Sequence, residues 1–289
     1  MAWRDRQGNP VPGDDTQDKT LQFLYGTRCG RAMLSVMIKP WVSKAAGRLM
    51  DTKASCIVIE PFIKKNGIAM KEYKHKQFRS FNDFFTRQIR KCARPIDREA
   101  EHLIAPCDCK LSVYPITEEA KFRIKGMDYT MESLLRDREL AKQFEGGTLL
   151  LFRLTVGDYH RYCYIDDGVK GENVHIPGVY YTVNPIAGTR YPIYKENTRE
   201  YALLDSAHFG KVLMVEVGAT MVGRIVNYHG AQEVRRGQEK GRFEFGGSTV
   251  ILCLQKDAAV IDDDLVENTR KDIETVIKMG EKIGLANKN

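Results

Sequence analysis

The chain has 289 residues, of which 43% are hydrophobic and 29% charged, as in an ordinary folded protein with one large core. Its formal net charge of +7 suits anionic partners but does not by itself indicate nucleic-acid binding. Seven irregularly spaced cysteines and an N-terminus without the apolar core of a signal peptide favour a reducing, non-secreted setting. No apolar run reaches the roughly 18 residues that predict a transmembrane helix.

The first 80 residues are predicted to form a helical region that faces a membrane. Residues 1–18 are polar and contain Pro and Gly, which is typical of a loose arm. From 20 to 50, apolar residues recur every three or four positions, and Pro40 predicts a break in this helical pattern. All charged residues of that stretch are basic. Such a face either packs on its own domain or lies on an anionic bilayer, and the charge pattern favours the bilayer.

A further helical stretch is predicted at 57–91, where Ser80 or Asn82 can cap a helix. After this stretch the pattern becomes β-rich. Apolar runs between turn residues predict strands within 103–116, 121–126, 147–156, 174–183, 211–226 and 243–254. Residues 131–144 predict a helical insert, and the tail 263–286 predicts a closing helix. The fold class is therefore α+β: a β-rich domain over 81–289, a helical N-terminal layer and a C-terminal helix.

Two glycines interrupt the last predicted strand. Gly246 and Gly247 lie between apolar residues and precede Ser248, although glycine weakens a strand interior. A β-bulge explains them, and a phosphate-binding loop explains them less well because no helix follows. In a third interpretation the Ser248 hydroxyl attacks the carbonyl of Gly247, since glycine permits the strained backbone of such an acyl shift. That reaction needs a base and an acid partner.

Two segments offer these groups. His160 follows an apolar strand in the segment 157–168, although a lone histidine is more often a hydrogen-bonded surface residue. Asp108 lies between Cys107 and Cys109 at a strand edge. The Cys-x-Cys pair invites a metal interpretation, but without a second pair of ligands it is weak evidence, and we expect no metal.

Taken together, these segments resemble the phosphatidylserine decarboxylase proenzyme family, and the resemblance extends over about residues 20–284. The segments that carry it are SFNDFFTRQIRKCARPID (80–97), APCDCK (105–110), GDYHRYCYIDDG (157–168), GVYYTVNPIA (178–187), VEVGATMVGRI (215–225) and FGGSTVILCL (245–254). They occur in the order of the family.

The resemblance implies a self-processing lyase of phospholipid biosynthesis. Cleavage between Gly247 and Ser248 would yield a β chain (1–247) and an α chain (248–289) that begins with a pyruvoyl group made from Ser248. In the family, that group condenses with the amine of phosphatidylserine and accepts electrons when CO₂ leaves, and phosphatidylethanolamine is released. The implied partners are phosphatidylserine at an anionic membrane surface and the two chains of one precursor, with a homo-oligomer possible and no nucleic acid. The implied location is peripheral, on the cytoplasmic side of the membrane.

The family pattern assigns self-cleavage to an Asp-His-Ser triad, whose acid matches Asp108 and whose serine matches Ser248. Its histidine segment has two histidines three apart. The first, associated with decarboxylation, matches His160, whereas the second, the self-cleavage base, falls on Cys163. A glycine of the family is also replaced by Cys109.

Cys163 leaves three outcomes open, because an ordinary thiol forms little thiolate at neutral pH. A neighbour such as Arg161 stabilises a Cys163 thiolate, or His160 covers both roles, or the chain stays uncleaved as a lipid-binding pseudoenzyme. A decarboxylase of a soluble amino acid is a further alternative, against which the basic amphipathic N-terminal region argues.

Overall fold

The N-terminal part of the computed structural model is helical. The model describes residues 2–13, 15–74, 77–184, 191–219, 224–245 and 248–287, without the side chains of 15–20, 40 and 44. The helices are α1 (Asp15–Gly26), α2 (Arg28–Met37), α3 (Pro40–Met50) and α4 (Ile59–Asn66), with a 3₁₀ segment at Lys53–Val58 before α4. The predicted break lies at Pro40, which is the first residue of α3. Proline is favoured there because the N–H group that it lacks would have no hydrogen-bond partner within the helix.

A large sheet forms the body of the protein. Its strands are β1 (Trp3–Arg4), β2 (Pro10–Val11), β4 (Cys109–Pro115), β7 (Thr148–Leu154), β9 (Gly168–Lys170), β10 (Val174–Ile176), β11 (Arg199–Ser206), β12 (Gly210–Gly218), β14 (Gln232–Val234), β16 (Ser248–Leu254) and β18 (Glu274–Ile277). The order is β14-β9-β11-β12-β16-β7-β4-β18-β1-β2, and β10 pairs with β11. β16 thus lies in the middle, and its seven residues are all buried, as expected for a strand covered on both faces.

Smaller sheets and short helices complete the fold. One sheet contains β8 (Arg161–Cys163), β13 (Arg224–Asn227) and β15 (Glu239–Glu244); another contains β3 (His102–Ile104), β17 (Ala259–Ile261) and β19 (Lys282–Ala286); β5 (Lys121–Ile124) and β6 (Met127–Thr130) form a hairpin. The helices are α5 (Phe81–Phe85), α6 (Met131–Leu135), α7 (Arg138–Lys142), α8 (Ile193–Glu196) and α9 (Asp263–Arg270), and 3₁₀ turns lie at Met70–Glu72 and Lys91–Ala93. The α+β class with a β-rich body is confirmed, and the predicted insert is the pair α6 and α7.

Three local predictions were wrong. The loose arm contains β1 and β2, because Trp3 pairs with Glu274 of β18 and the Arg6 guanidinium binds the carboxylates of Asp262 and Asp264. The closing helix ends at Arg270, and the rest of that tail forms β18 and β19, whose pairing with distant strands overrides a local helical pattern. In the run 174–183, only Val174–Ile176 is a strand. Among the described residues, no helix has the length and hydrophobicity needed to cross a bilayer.

Candidate active site

Ser248 is the first residue of β16 and is completely buried. It pairs with Gly218 of β12 on one side and with Leu154 of β7 on the other. Its Oγ has no hydrogen-bond partner among the described residues. A buried hydroxyl without a partner costs stability and needs an explanation, and the hydroxyls of Ser43 and Thr249 share this property. Gly246 and Gly247 lie outside the described residues, so the choice between a bulge and a reactive backbone rests on their neighbours.

A cluster of aromatic rings surrounds the segment that leads to Ser248. The ring of Phe245 packs edge-on against Phe81 and Phe85 of α5, with centroids 5.0 and 5.5 Å apart. α5 begins at this point because the Ser80 hydroxyl accepts a hydrogen bond from the N–H of Asp83, as the predicted N-cap requires. This apolar cluster thus packs on Phe245, three residues before Ser248.

His160 lies against the same cluster. Its ring is fully buried and 4.1 Å from the Phe85 ring. Nδ1 is 2.9 Å from the carbonyl oxygen of Asp158, which only accepts hydrogen bonds, so Nδ1 carries the proton. Nε2 is therefore an unprotonated nitrogen, and it has no partner among the described residues. Burial lowers the pKa of His160 from 6.5 to about 3, so the imidazole is neutral at physiological pH.

The turn that presents His160 is fixed by an ion pair. The Asp158 carboxylate accepts hydrogen bonds from Lys110 Nζ at 2.7 and 2.8 Å and from the N–H and hydroxyl of Thr155. These contacts hold the pKa of Asp158 below its ordinary value despite its burial. Lys110 was not predicted as a site residue. The sequence indicates its role in one way: a lysine within an apolar strand is expected to be buried only if it has a charged partner.

Asp108 is buried and is engaged by arginine. Arg94 donates from Nε at 2.8 Å and from Nη2 at 2.6 Å, and the N–H of Met279 donates at 2.9 Å. Arg94 also binds Glu72. Among the described residues, Asp108 forms no hydrogen bond with His160, Cys163 or Ser248. The structure therefore assigns to Asp108 a bidentate arginine partner that the sequence analysis missed.

Cys163 points away from the aromatic cluster. Side chains alternate along this extended segment: His160 and Tyr162 contact Phe85 and Phe243, whereas Tyr159, Arg161 and Cys163 line a cleft on the other side. Burial raises the pKa of the Cys163 thiol to about 12. The Arg161 guanidinium is occupied by Glu239 and the carbonyl oxygen of Thr86, so it does not stabilise a thiolate.

A second buried charge pair shares a sheet face with Ser248. Glu216 lies two residues before Gly218 on β12, so its side chain points to the same face. Its carboxylate accepts hydrogen bonds from Lys240 Nζ at 2.7 Å and from the Asn227 amide at 3.0 Å. Both charged groups are fully buried. The sequence analysis did not single out this pair.

The Cys-x-Cys pair is built into the sheet. Cys107 and Cys109 are free thiols in the buried core, and burial raises the pKa of both. Over the described ranges, no group of three or more His, Cys, Asp or Glu side chains is placed to hold a metal ion.

Known proteins match this chain over most of its length. A family model described as phosphatidylserine decarboxylase matches residues 81–285. The chain is 46% identical over 268 residues to phosphatidylserine decarboxylase proenzyme 2 of Clostridium acetobutylicum, with 92% of each chain covered. It is 45% identical to the phosphatidylserine decarboxylase proenzyme of Clostridium novyi, with 92% of each covered, and 43% identical to that of Fusobacterium nucleatum, with 91% of this chain and 90% of the relative covered. The chain belongs to the phosphatidylserine decarboxylase family.

Proposed function

We propose that this protein is a self-processing, pyruvoyl-dependent decarboxylase that converts phosphatidylserine to phosphatidylethanolamine and CO₂. The observation that carries the proposal is Ser248: a completely buried hydroxyl that has no partner among the described residues and follows the glycine pair directly, in a chain of this family. The proposed cleavage lies between Gly247 and Ser248.

His160 is the proposed base for self-processing. Its Nε2 is unprotonated and buried and has no hydrogen-bond partner among the described residues, so it is available for a proton that leaves the Ser248 hydroxyl. A thiol with a pKa of about 12 is ionised in only ~1 of 10⁵ molecules at pH 7, which makes Cys163 the weaker candidate. The imidazolium that forms lies in a site of low dielectric, where the developing oxyanion stabilises it. In this proposal, Cys163 has no proton-transfer role.

The surroundings of Ser248 suit a pyruvoyl group at that position. When present, the group supplies a carbonyl that binds the substrate amine and withdraws electrons from the bond to the carboxylate. Ser248 is completely buried, and a buried site limits the access of water to such a group. His160 can accept and return a proton through Nε2. The Lys110–Asp158 ion pair fixes the turn whose Asp158 carbonyl oxygen accepts the hydrogen bond from the His160 ring.

After cleavage, the 42-residue segment 248–289 is expected to stay in place as the α chain. Its first strand, β16, is hydrogen-bonded on both sides by β12 and β7. Glu274 of this segment is fully buried and forms ion pairs with Arg153 and Lys125 of the other segment. The interface between the two chains is therefore a sheet interior rather than a surface contact.

The helical N-terminal region supplies the proposed membrane surface. Its exposed apolar side chains, which we call the apolar face, are Phe23, Met33, Val36, Trp41, Leu49, Ile57 and Val58. Trp41 is 62% exposed and Ile57 82% exposed. Monomeric proteins rarely expose so many large apolar groups together with cations, and that combination suits an anionic bilayer. Met50 and Cys56 of the same region pack on the phenylalanine cluster, which includes Phe245, three residues before Ser248.

A lipid-binding pseudoenzyme is the second candidate, and the buried thiol at Cys163 is the observation in its favour. Intact-mass measurement of the purified chain separates the two. Self-processing replaces the 33.0 kDa chain by fragments of about 28 and about 5 kDa, in proportion to residues 1–247 and 248–289. A Ser248→Ala chain is the control that stays whole. An intact wild-type chain without activity on phosphatidylserine would overturn the enzyme proposal.

A further inference from the structure

A basic cleft of about 610 Å³ lies on the side of β8 opposite His160. Its floor is formed by Cys163 and three buried arginines, Arg94, Arg161 and Arg236. Its rim carries four exposed cations, which are Lys74, Lys91, Arg98 and Arg235. Glu239 is the one carboxylate among its described lining residues, and Ser248 is not part of the lining.

The floor of the cleft is electrostatically balanced. Arg94 is paired with Asp108 and Glu72, Arg161 with Glu239, and Arg236 with Asp166. Each guanidinium also donates a hydrogen bond to at least one backbone carbonyl oxygen, so the three side chains are held in fixed positions. The cleft is therefore a rigid, pre-formed concavity.

The rim, in contrast, is not balanced. Lys74 donates to the neutral amide of Gln88, and Arg98 donates to the carbonyl oxygen of Arg236. Among the described residues, none of the four rim cations has a carboxylate partner. Four like charges around one concavity repel each other, and a bound anion relieves this repulsion.

We propose that this cleft binds a phosphate group, either of a free phosphate ester or of an anionic lipid head group. Phosphate presents several acceptor oxygens at once, and arginine forks bind such oxygens in pairs more strongly than neutral donors do. The cleft is far larger than a phosphate group, so it has space for the alcohol part of an ester. The inference goes beyond the proposed decarboxylation and does not depend on it.

The test measures phosphate binding to the full chain by calorimetry at low ionic strength, with inorganic phosphate as the probe. The double variant Lys91→Ala/Arg235→Ala removes two exposed rim cations that have no ion-pair partner in the part of the chain that the structure describes. A matched control, Arg138→Ala/Lys211→Ala, removes one exposed Arg and one exposed Lys far from the cleft lining. We expect the affinity to fall about tenfold or more in the rim variant, because charged hydrogen bonds are lost, and to change little in the control.

A second arm distinguishes the source of the phosphate. Vesicles of phosphatidylcholine with phosphatidylglycerol are sedimented with the same three proteins, with and without inorganic phosphate. Weaker vesicle binding by the rim variant, together with competition by phosphate, assigns the site to a lipid head group. Unchanged vesicle binding, with phosphate binding lost, assigns it to a free phosphate ester. Equal phosphate binding by all three proteins, or none by the wild type, overturns the site. Decarboxylation is not a readout, so the proposed function can fail independently.

Discussion

The Nδ1 atom of His160 lies 2.9 Å from the carbonyl oxygen of Asp158, and this single contact fixes which ring nitrogen is free. Because Nδ1 must carry the proton, Nε2 is left as a buried lone pair beside the ring of Phe85. Cys163, at the position where the family pattern has its self-cleavage base, faces the basic cleft instead. His160 is therefore expected to matter for self-processing, and Cys163 is not.

His160→Gln is expected to slow self-processing by about 10²–10⁴-fold, the usual contribution of a positioned base. Cys163→Ala is expected to process at the wild-type rate, since its thiol has a pKa of about 12. Intact-mass time courses during expression measure both rates. Processing that fails in Cys163→Ala but proceeds in His160→Gln would reverse the assignment, as would a large acceleration in Cys163→His.

The stability of the fold should depend on pH through the same histidine. Burial depresses the pKa of His160 to about 3, so between about pH 6.5 and 3 the unfolded chain binds a proton that the native state does not. The free energy of unfolding therefore falls as the pH drops through this window, by up to about 1.4 kcal/mol per pH unit. Urea unfolding between about pH 6.5 and 5 avoids the range in which carboxylates titrate.

The measurement compares Ser248→Ala with Ser248→Ala/His160→Gln, because both chains stay uncleaved and only the first has the titrating group. The pH dependence of the double variant should be flatter than that of Ser248→Ala by about this amount. Parallel curves for the two chains would show that His160 is not held in the neutral form. His229, whose pKa is also lowered by partial burial, is present in both chains and cancels in the difference.

Glu274 is expected to be important for the stability of the sheet. It is fully buried, and its pairs with Arg153 and Lys125 lower its pKa to about 2. Glu274→Gln leaves a buried arginine without its counter-charge, which costs about 3–5 kcal/mol. Glu267→Gln, at an exposed pair with Lys271, is the matched control and should leave the unfolding midpoint unchanged. Equal midpoints for the two variants would contradict the prediction.

Binding to anionic vesicles should depend on the apolar face. Trp41→Ser combined with Ile57→Ser removes two of its most exposed side chains and is expected to weaken co-sedimentation without lowering the melting temperature. Val260→Ser changes an exposed apolar residue of β17, outside the apolar face, and should have no effect. Added salt should weaken wild-type binding, because exposed charges are screened. Binding that survives both the double substitution and high salt would place the membrane contact elsewhere.

The motifs of the sequence were sufficient for the family, the α+β class and the break at Pro40, and they narrowed the helix cap to Ser80 or Asn82, because each depends on a few neighbouring residues. The structure selects Ser80 as the cap. Local patterns did not predict the course of the two ends of the chain. Trp3 and Glu274 are 271 positions apart, and only their pairing turns the arm and the tail into strands.

The chemistry of the site divides in the same way. The order of motifs selected Asp108, His160, Cys163 and Ser248 as candidates, since residue types and spacing are properties of the sequence. Tertiary structure decided what each one contacts: Asp108 is held by Arg94, His160 is left with a free nitrogen, and Cys163 faces the basic cleft. These outcomes depend on burial and on partners from distant segments, which set the pKa of each group and the direction in which its side chain points.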